Sequence, residues 1–152
     1  MLKTQKIFIL TALSVVMQCA NMIPRELPPV QDESWALTLN SIRNGRSYAV
    51  AGGSWNPKPG NDMLYVNVDV LNKSQAAADF DFAPCTLEAK DVKRTPFIVD
   101  MAKGINIMID SKKSRLDAQE KVSRTLIINF PSNTRPESFQ CPQGGNITIP
   151  AS

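Results

Sequence analysis

MLYVNVDVLN, residues 63–72, decides the fold. Leu64, Val66, Val68 and Val70 fall on one side of an extended chain, with Tyr65, Asn67 and Asp69 on the other. Strict alternation is the period of a half-buried strand; a helix, with 3.6 residues per turn, would scatter these four side chains around its circumference. The valines suit a pleated surface, because branching at Cβ costs little there. A lone strand cannot bury its own apolar face, so partners of the same period must lie elsewhere in the chain.

They are found on both sides. Upstream, WALTLNSI (35–42) puts Trp35, Leu37 and Leu39 on one face, which makes Trp35 a core residue. RSYAVA (46–51) follows Asn44-Gly45, a dipeptide that favours tight hairpin turns, so these two strands are expected to pair through that turn. AGGSWNPKPGND (51–62), rich in Gly and Pro, reads as a loop. Downstream, NKS (72–74) turns the chain, and DFDFAPCTLEA (79–89) offers two short strands broken at Pro84. FIVDM after Pro96, SRTLIINF (123–130), SFQC and NITIP follow, with GINIMID (104–110) a further strand or an irregular connection. Short strands separated by turn signals, without an amphipathic helix, predict an antiparallel immunoglobulin-like β-sandwich of seven to nine strands over residues 35–152.

The block GNDMLYVNVDVLNKS (60–74) resembles the central signature of a family of immunoglobulin-like, telokin-like domains of unknown function found in secreted and lipid-anchored bacterial proteins. EKVSRTLIINFP (120–131) resembles that family's penultimate strand, although Arg124 stands where a glycine is usual. The resemblance implies a sandwich on an export signal with a binding or structural role and no catalytic residues.

The N-terminus gives the chain an address. Lys3 and Lys6 precede the uncharged run Ile7–Met17, which at eleven residues is too short to span a bilayer as a helix. It has the length of a signal-peptide hydrophobic region behind the expected positive flank, so residues 1–18 read as an export signal. SVVMQC (14–19) ends on Cys19 and resembles the bacterial lipoprotein pattern, in which that cysteine takes acyl chains such as palmitate; Gln18 departs from the small residue usual there. Two or more acyl chains anchor a protein stably where one does not. Ala20 is not the Asp that resembles an inner-membrane retention signal, which favours the outer over the inner membrane of a bacterial cell envelope. An ordinary secretory signal, with a secreted or periplasmic product, is the other reading. Residues 19–34, with Pro24, Pro28 and Pro29, read as the lipidated cysteine and a flexible tether.

Without residues 1–18 the chain carries 15 basic and 14 acidic residues, net +1, which gives no electrostatic sign of a nucleic-acid partner. Setting Cys19 aside leaves Cys85 and Cys141, which in an oxidising compartment form a disulfide and otherwise sit as two buried thiols. Histidine is absent, and with it the commonest general base and the commonest transition-metal ligand. Enzymatic activity is not expected, and neither a metal nor another cofactor is assigned.

Three groups remain as candidates for binding. Trp55 lies in the Gly/Pro stretch, either as a contact anchor or folded back over the core. Asp69, Asp79 and Asp81 offer oxygens to a hard cation but fall short of a full ligand set. Lys112, Lys113 and Arg115 form a basic cluster within reach of anionic headgroups or simply a solvated loop. The expected function is a lipid-anchored envelope protein, membrane-held and engaging a protein partner as a binding or scaffolding module; the alternative is a periplasmic small-ligand or metal-binding protein.

Overall fold

The computed structural model of the chain describes residues 21–23, 26–50, 53–101 and 112–151. Among them are fourteen strands and no helix, and nine of the strands have four residues or more, which is the size class the alternation could register. The expected signal segment 1–18, Cys19 and the GINIMID stretch lie outside the described residues.

The main sheet is built on three long antiparallel strands, β3 (Trp35–Gly45), β6 (Asn61–Asn72) and β12 (Lys121–Pro131), in the order β3-β6-β12. Beyond β12 lies β10 (Ile98–Met101); the outer edge of β3 is lined by β1 (Asn21–Ile23) and β2 (Val30–Gln31). The sheet has two ends. One gathers Gly45, Asn61 and Pro131, and the other gathers Trp35, Asn72 and Lys121. The register of β3 on β6 slips between Leu39 and Ser41, leaving Asn40 as a bulge. That extra residue is why Leu37 and Leu39 point inward and Ile42, on the opposite parity, does so too.

A second layer closes the inner face. Its four-stranded sheet runs β14 (Gly145–Thr148), β13 (Ser138–Cys141), β8 (Thr86–Ala89), β9 (Val92–Arg94), and beside it β7 (Ala78–Asp81) pairs with β11 (Lys113–Leu116). Leu64, Val66, Val68 and Val70 meet Leu126, Ile128 and Phe130 from their own sheet and Phe80, Leu87, Phe139 and Ile147 from the facing ones. Trp35 is 6% exposed and meets Phe80 edge-on at 5.1 Å, which is the core role its alternation predicts. The chain is thus an all-β antiparallel sandwich, the fold class expected. Burial of about 2 kcal/mol per large apolar side chain, repeated across this interface, is what holds the two layers together.

Cys85 and Cys141 are bonded, with Cα atoms 4.2 Å apart. Thr86 pairs with Gln140, so the cysteines are the next cross-strand pair in register. The bridge therefore staples neighbouring strands of one sheet rather than crossing between layers, unlike the bridge of antibody domains.

Four expectations change. Asn44-Gly45 is not a hairpin turn: β3 runs through it, because a Cβ at Gly45 would lie 1.8 Å from Tyr65 Cε2, and only glycine lets that ring lie across the strand. Residues 46–51 accordingly do not pair with β3; β4 (Tyr48–Val50) pairs with β5 (Gly53–Trp55), a strand where a loop is expected. SKKSR leads into β11 rather than a loop, with Lys113 and Arg115 solvated on the strand. Residues 26–34 do not hang free as a tether: β2 is laddered to β3, the Leu27 amide donates to Leu39 O at 3.0 Å, and Leu27 and Val30 pack on the core. Prolines exclude helix there, yet nothing in them prevents two apolar side chains from reaching a sheet edge.

Candidate functional site

The outer face of the main sheet divides in two. Toward the Gly45 end, Met63, Ile98 and Ile127 are buried, and they are covered by Tyr48, Tyr65 and Phe97 rather than by a second sheet. The β4–β5 hairpin lies over them. Its Tyr48 hydroxyl donates to Asp100 Oδ2 at 2.7 Å, and the Tyr65 hydroxyl donates to Ser47 O. Burial, then the Asp100 hydrogen bond and charge, push the Tyr48 phenol well above its ordinary range. Burial raises Tyr65 as well, against the pull of Arg43.

Trp55, opposite Tyr48 in the hairpin, stacks on Phe97 with ring centroids 5.6 Å apart and planes 18° from parallel. It is nevertheless 46% exposed, the large hydrophobic side chain that the described surface leaves open. One part of the indole thus folds back over an apolar cluster, and the rest faces solvent. Phe97, the residue that completes this aromatic platform, escapes sequence reasoning because one aromatic after Pro96 carries no signal of its own.

Toward the other end, the same face is polar. Asn67 Nδ2 donates to Ser41 Oγ at 2.7 Å, Thr125 Oγ1 donates to Asn67 Oδ1 at 2.7 Å, and Ser123 Oγ donates to Asp69 Oδ1 at 2.6 Å. Lys121 Nζ lies 2.7 Å from Asp69 Oδ2. Burial pushes the Asp69 carboxyl up, but hydrogen bonds from Lys121, Ser123 and Asn40 outweigh it and hold the group below its usual range. The ladder is largely self-paired, although the buried Asn40 Oδ1 beside Asp69 has no hydrogen-bond partner.

The acidic candidates are not brought together. Asp69 sits on β6, while Asp79 and Asp81 sit on β7, where they pair in register with Arg115 and Lys113. Each ion pair measures 3.8 Å, so the acidic group and the basic group singled out by sequence face each other across two strands. No three His, Cys, Asp or Glu side chains gather as a metal site among the described residues.

Arg124, in the usual glycine position of the resembled family, pairs with Val68 and so points between the layers. Its Nη2 donates to the buried Ser114 Oγ at 2.9 Å, and its burial works against the charge, partly offset by Glu120. A second residue missed by sequence is Asn72, fully buried at the end of β6. Its Nδ2 donates to Ala76 O, Leu116 O and Asp117 O, and its Oδ1 accepts from Ser74, tying three segments at one amide. The Asn-x-Ser turn is the signal that could have found it. A cleft of about 400 Å³ lies between Lys90, Asp91, Asn133 and Arg135, and a smaller apolar one, about 320 Å³, between Leu27, Pro28, Ile147 and Pro150.

A solved structure of an uncharacterized beta-sandwich protein from Clostridium difficile 630 is similar to this chain, with a TM-score of 0.54 and 15% identity over 78% of this chain and 86% of that one. No family model and no curated protein matches the chain. At that identity the likeness concerns the fold alone.

Proposed function

We propose that the chain is a lipid-anchored protein of the bacterial cell envelope whose sandwich, a relative of the telokin-like immunoglobulin domains, serves as a binding or scaffolding module without catalysis. The observation that carries the reading is the Cys85–Cys141 bond, since such bonds persist in oxidising compartments and this one lies on a chain that opens with an export-type segment. Cys19 supplies the anchor, and the Trp55–Phe97 platform supplies the exposed contact surface. The want of histidine argues against the usual acid–base chemistry.

Mass spectrometry of the native N-terminus tests the anchor directly: a diacylated or triacylated Cys19 is expected, and a mature protein starting elsewhere with an unmodified cysteine refutes it. Cross-linking on intact cells then asks what the module holds. A specific captured protein supports the scaffolding role, and recovery of the chain alone at every cross-linker length speaks against it.

A further inference from the structure

An open strand edge invites pairing, and folded chains guard such edges with charge, proline or a cover. Several edges of this sandwich carry a guard. β9 has Lys93 and Arg94, β11 has Lys113 and Arg115, and Pro28 and Pro29 stand just before β2. The free side of β7 is covered by one side chain: the Asp81 amide donates to Gln143 Oε1 at 2.7 Å, and Gln143 Nε2 donates to Asp79 O at 3.1 Å. β14 ends the four-stranded sheet with none of these devices. Its residues, Gly145, Asn146, Ile147 and Thr148, are uncharged, and among the described residues no strand pairs with its far side.

Two observations fix where the backbone groups of that edge point. Cys85 and Cys141 lie 4.2 Å apart at Cα, the closeness of a cross-strand pair that exchanges no hydrogen bonds, so the odd-numbered residues of β13 turn their N–H and C=O toward β14. The Ile149 amide donates to Glu137 O at 2.8 Å, which continues the same parity. Ile147 therefore bonds to Phe139, its partner in register, and Asn146 and Thr148 direct their N–H and C=O groups outward. The side chains of these two residues are exposed, and beside them on the same face stand Ser138 and Gln140, so the strip along this edge carries no charge.

We propose that two copies of the chain join edge to edge through β14, antiparallel about a two-fold axis at Ile147. That register sets Asn146 of each copy opposite Thr148 of the other, and the outward groups of both edges satisfy one another in full. Other registers leave groups unmatched. An axis at Thr148 would bring Asn146 against Pro150, which has no N–H, and an axis at Asn146 would bring Thr148 against Gly144, whose amide already serves Cys141 O. A second copy suits the edge because it brings Asn against Thr and no like charges face each other across the axis. It also lays Gly145, which has no side chain, beside Ile149, next to the apolar cleft of Leu27, Pro28, Ile147 and Pro150. One short strand per copy buries less than the roughly 1,200 Å² at which standard interfaces begin, so the dimer is a weak one. The pairing needs no anchor at Cys19 and uses a surface other than the Trp55–Phe97 platform.

The test uses the chain as its own cells make it, in density-matched detergent at many micelles per chain, so that anchors do not meet by chance. Sedimentation equilibrium should show the mass rising toward twice that of the monomer as the concentration climbs from about 1 to about 500 µM, the range of a weak contact. Over the same range hydrogen exchange at the Asn146 and Thr148 amides should slow, while the amides of β9 stay unchanged. Thr148→Pro removes an outward N–H from each copy without touching the ladder to β13. It should raise the dissociation constant about thirtyfold, for two lost hydrogen bonds, with an unchanged urea midpoint in dilute protein. Asn146→Lys combined with Thr148→Lys sets like charges opposite each other and should abolish the dimer, which keeps the test decisive if proline disturbs the strand. A chain that stays monomeric at the highest concentration, or a dimer indifferent to these variants or to exchange at these two amides, overturns the inference. So does protection of both amides in the dilute monomer, since another segment of the same chain then lies on the edge. Acylation of Cys19 is decided separately by the mass spectrometry above, so the anchor and the pairing stand or fall independently.

Discussion

The sandwich interior and the cluster beneath the β4–β5 hairpin are both apolar, both rest on β6 and β12, and use opposite faces of the same two strands. The interior is roofed by two further sheets and contains residues from most of the chain. The outer cluster has three buried residues under two three-residue strands, to which the hairpin adds the buried Tyr48 and a half-exposed tryptophan. A roof made of sheets is held by many partners at once, whereas a hairpin roof is held by a few side chains, Tyr48 to Asp100 and Trp55 to Phe97 among them. The first region makes the fold, and the second is a local cluster closed by a short hairpin with one half-exposed indole.

The contrast can be broken most forcefully from inside. Phe139→Ala empties a site between the sheets and should cost about 4 kcal/mol, read as a lower midpoint with unchanged slope in urea unfolding. Separating the cysteines by reduction should cost about 2–4 kcal/mol, checked by unfolding with and without dithiothreitol; the loss should fall first on the four-stranded sheet that the bond staples. If β4 and β5 exchange amide hydrogens faster than β6 after reduction, the two regions are less independent than the geometry implies.

Smaller changes sharpen the comparison. Ile127→Ala should cost about 2 kcal/mol, the low end for such a change, because a short hairpin can settle into the gap; hydrogen exchange should quicken in β4–β5 before β8 or β13. Tyr48 titrates in the same place. Its folded pKa is raised, so its contribution is whole below the unfolded value near 10 and is lost as pH rises beyond it. Tyr48→Phe should remove that alkaline loss at a cost of about 1 kcal/mol at neutral pH. The smallest effect belongs to the polar ladder: Asp69 is depressed, so its contribution is present above the unfolded value near 4 and disappears as pH falls below it. Lys121 is 59% exposed, so Lys121→Met should cost less than about 1 kcal/mol and flatten the acid limb of an unfolding titration.

The long strands were legible because each buries one face, so β3, β6 and β12 write their alternation directly into the chain. What stayed hidden depends on partners distant in sequence. Gly45 reads as a turn residue until the Tyr65 ring is known to cross it. Trp55 reads as a loop residue because β4 and β5 together are too short to alternate, and its stacking on Phe97 spans residues that no local pattern connects. Likewise Asp79 and Asp81 resemble a cation site only until Lys113 and Arg115 are seen opposite them. Leu27 and Val30 were masked by the prolines around them, whose effect on the backbone says nothing about where neighbouring side chains go.

Asn72, with Lys73 and Ser74, spells an acceptor for N-linked sugar, as does Asn146 with Ile147 and Thr148. The amide of Asn72 is spent on three carbonyls at a position closed to solvent, whereas Asn146 stands in the open. Routed through a eukaryotic secretory system, the emerging polypeptide would meet the glycosylating enzyme before β6 has closed. A glycan on Asn146 would leave the fold intact, and one on Asn72 would wedge the turn apart, so Asn72 makes yeast or mammalian production hosts a poor choice for this chain.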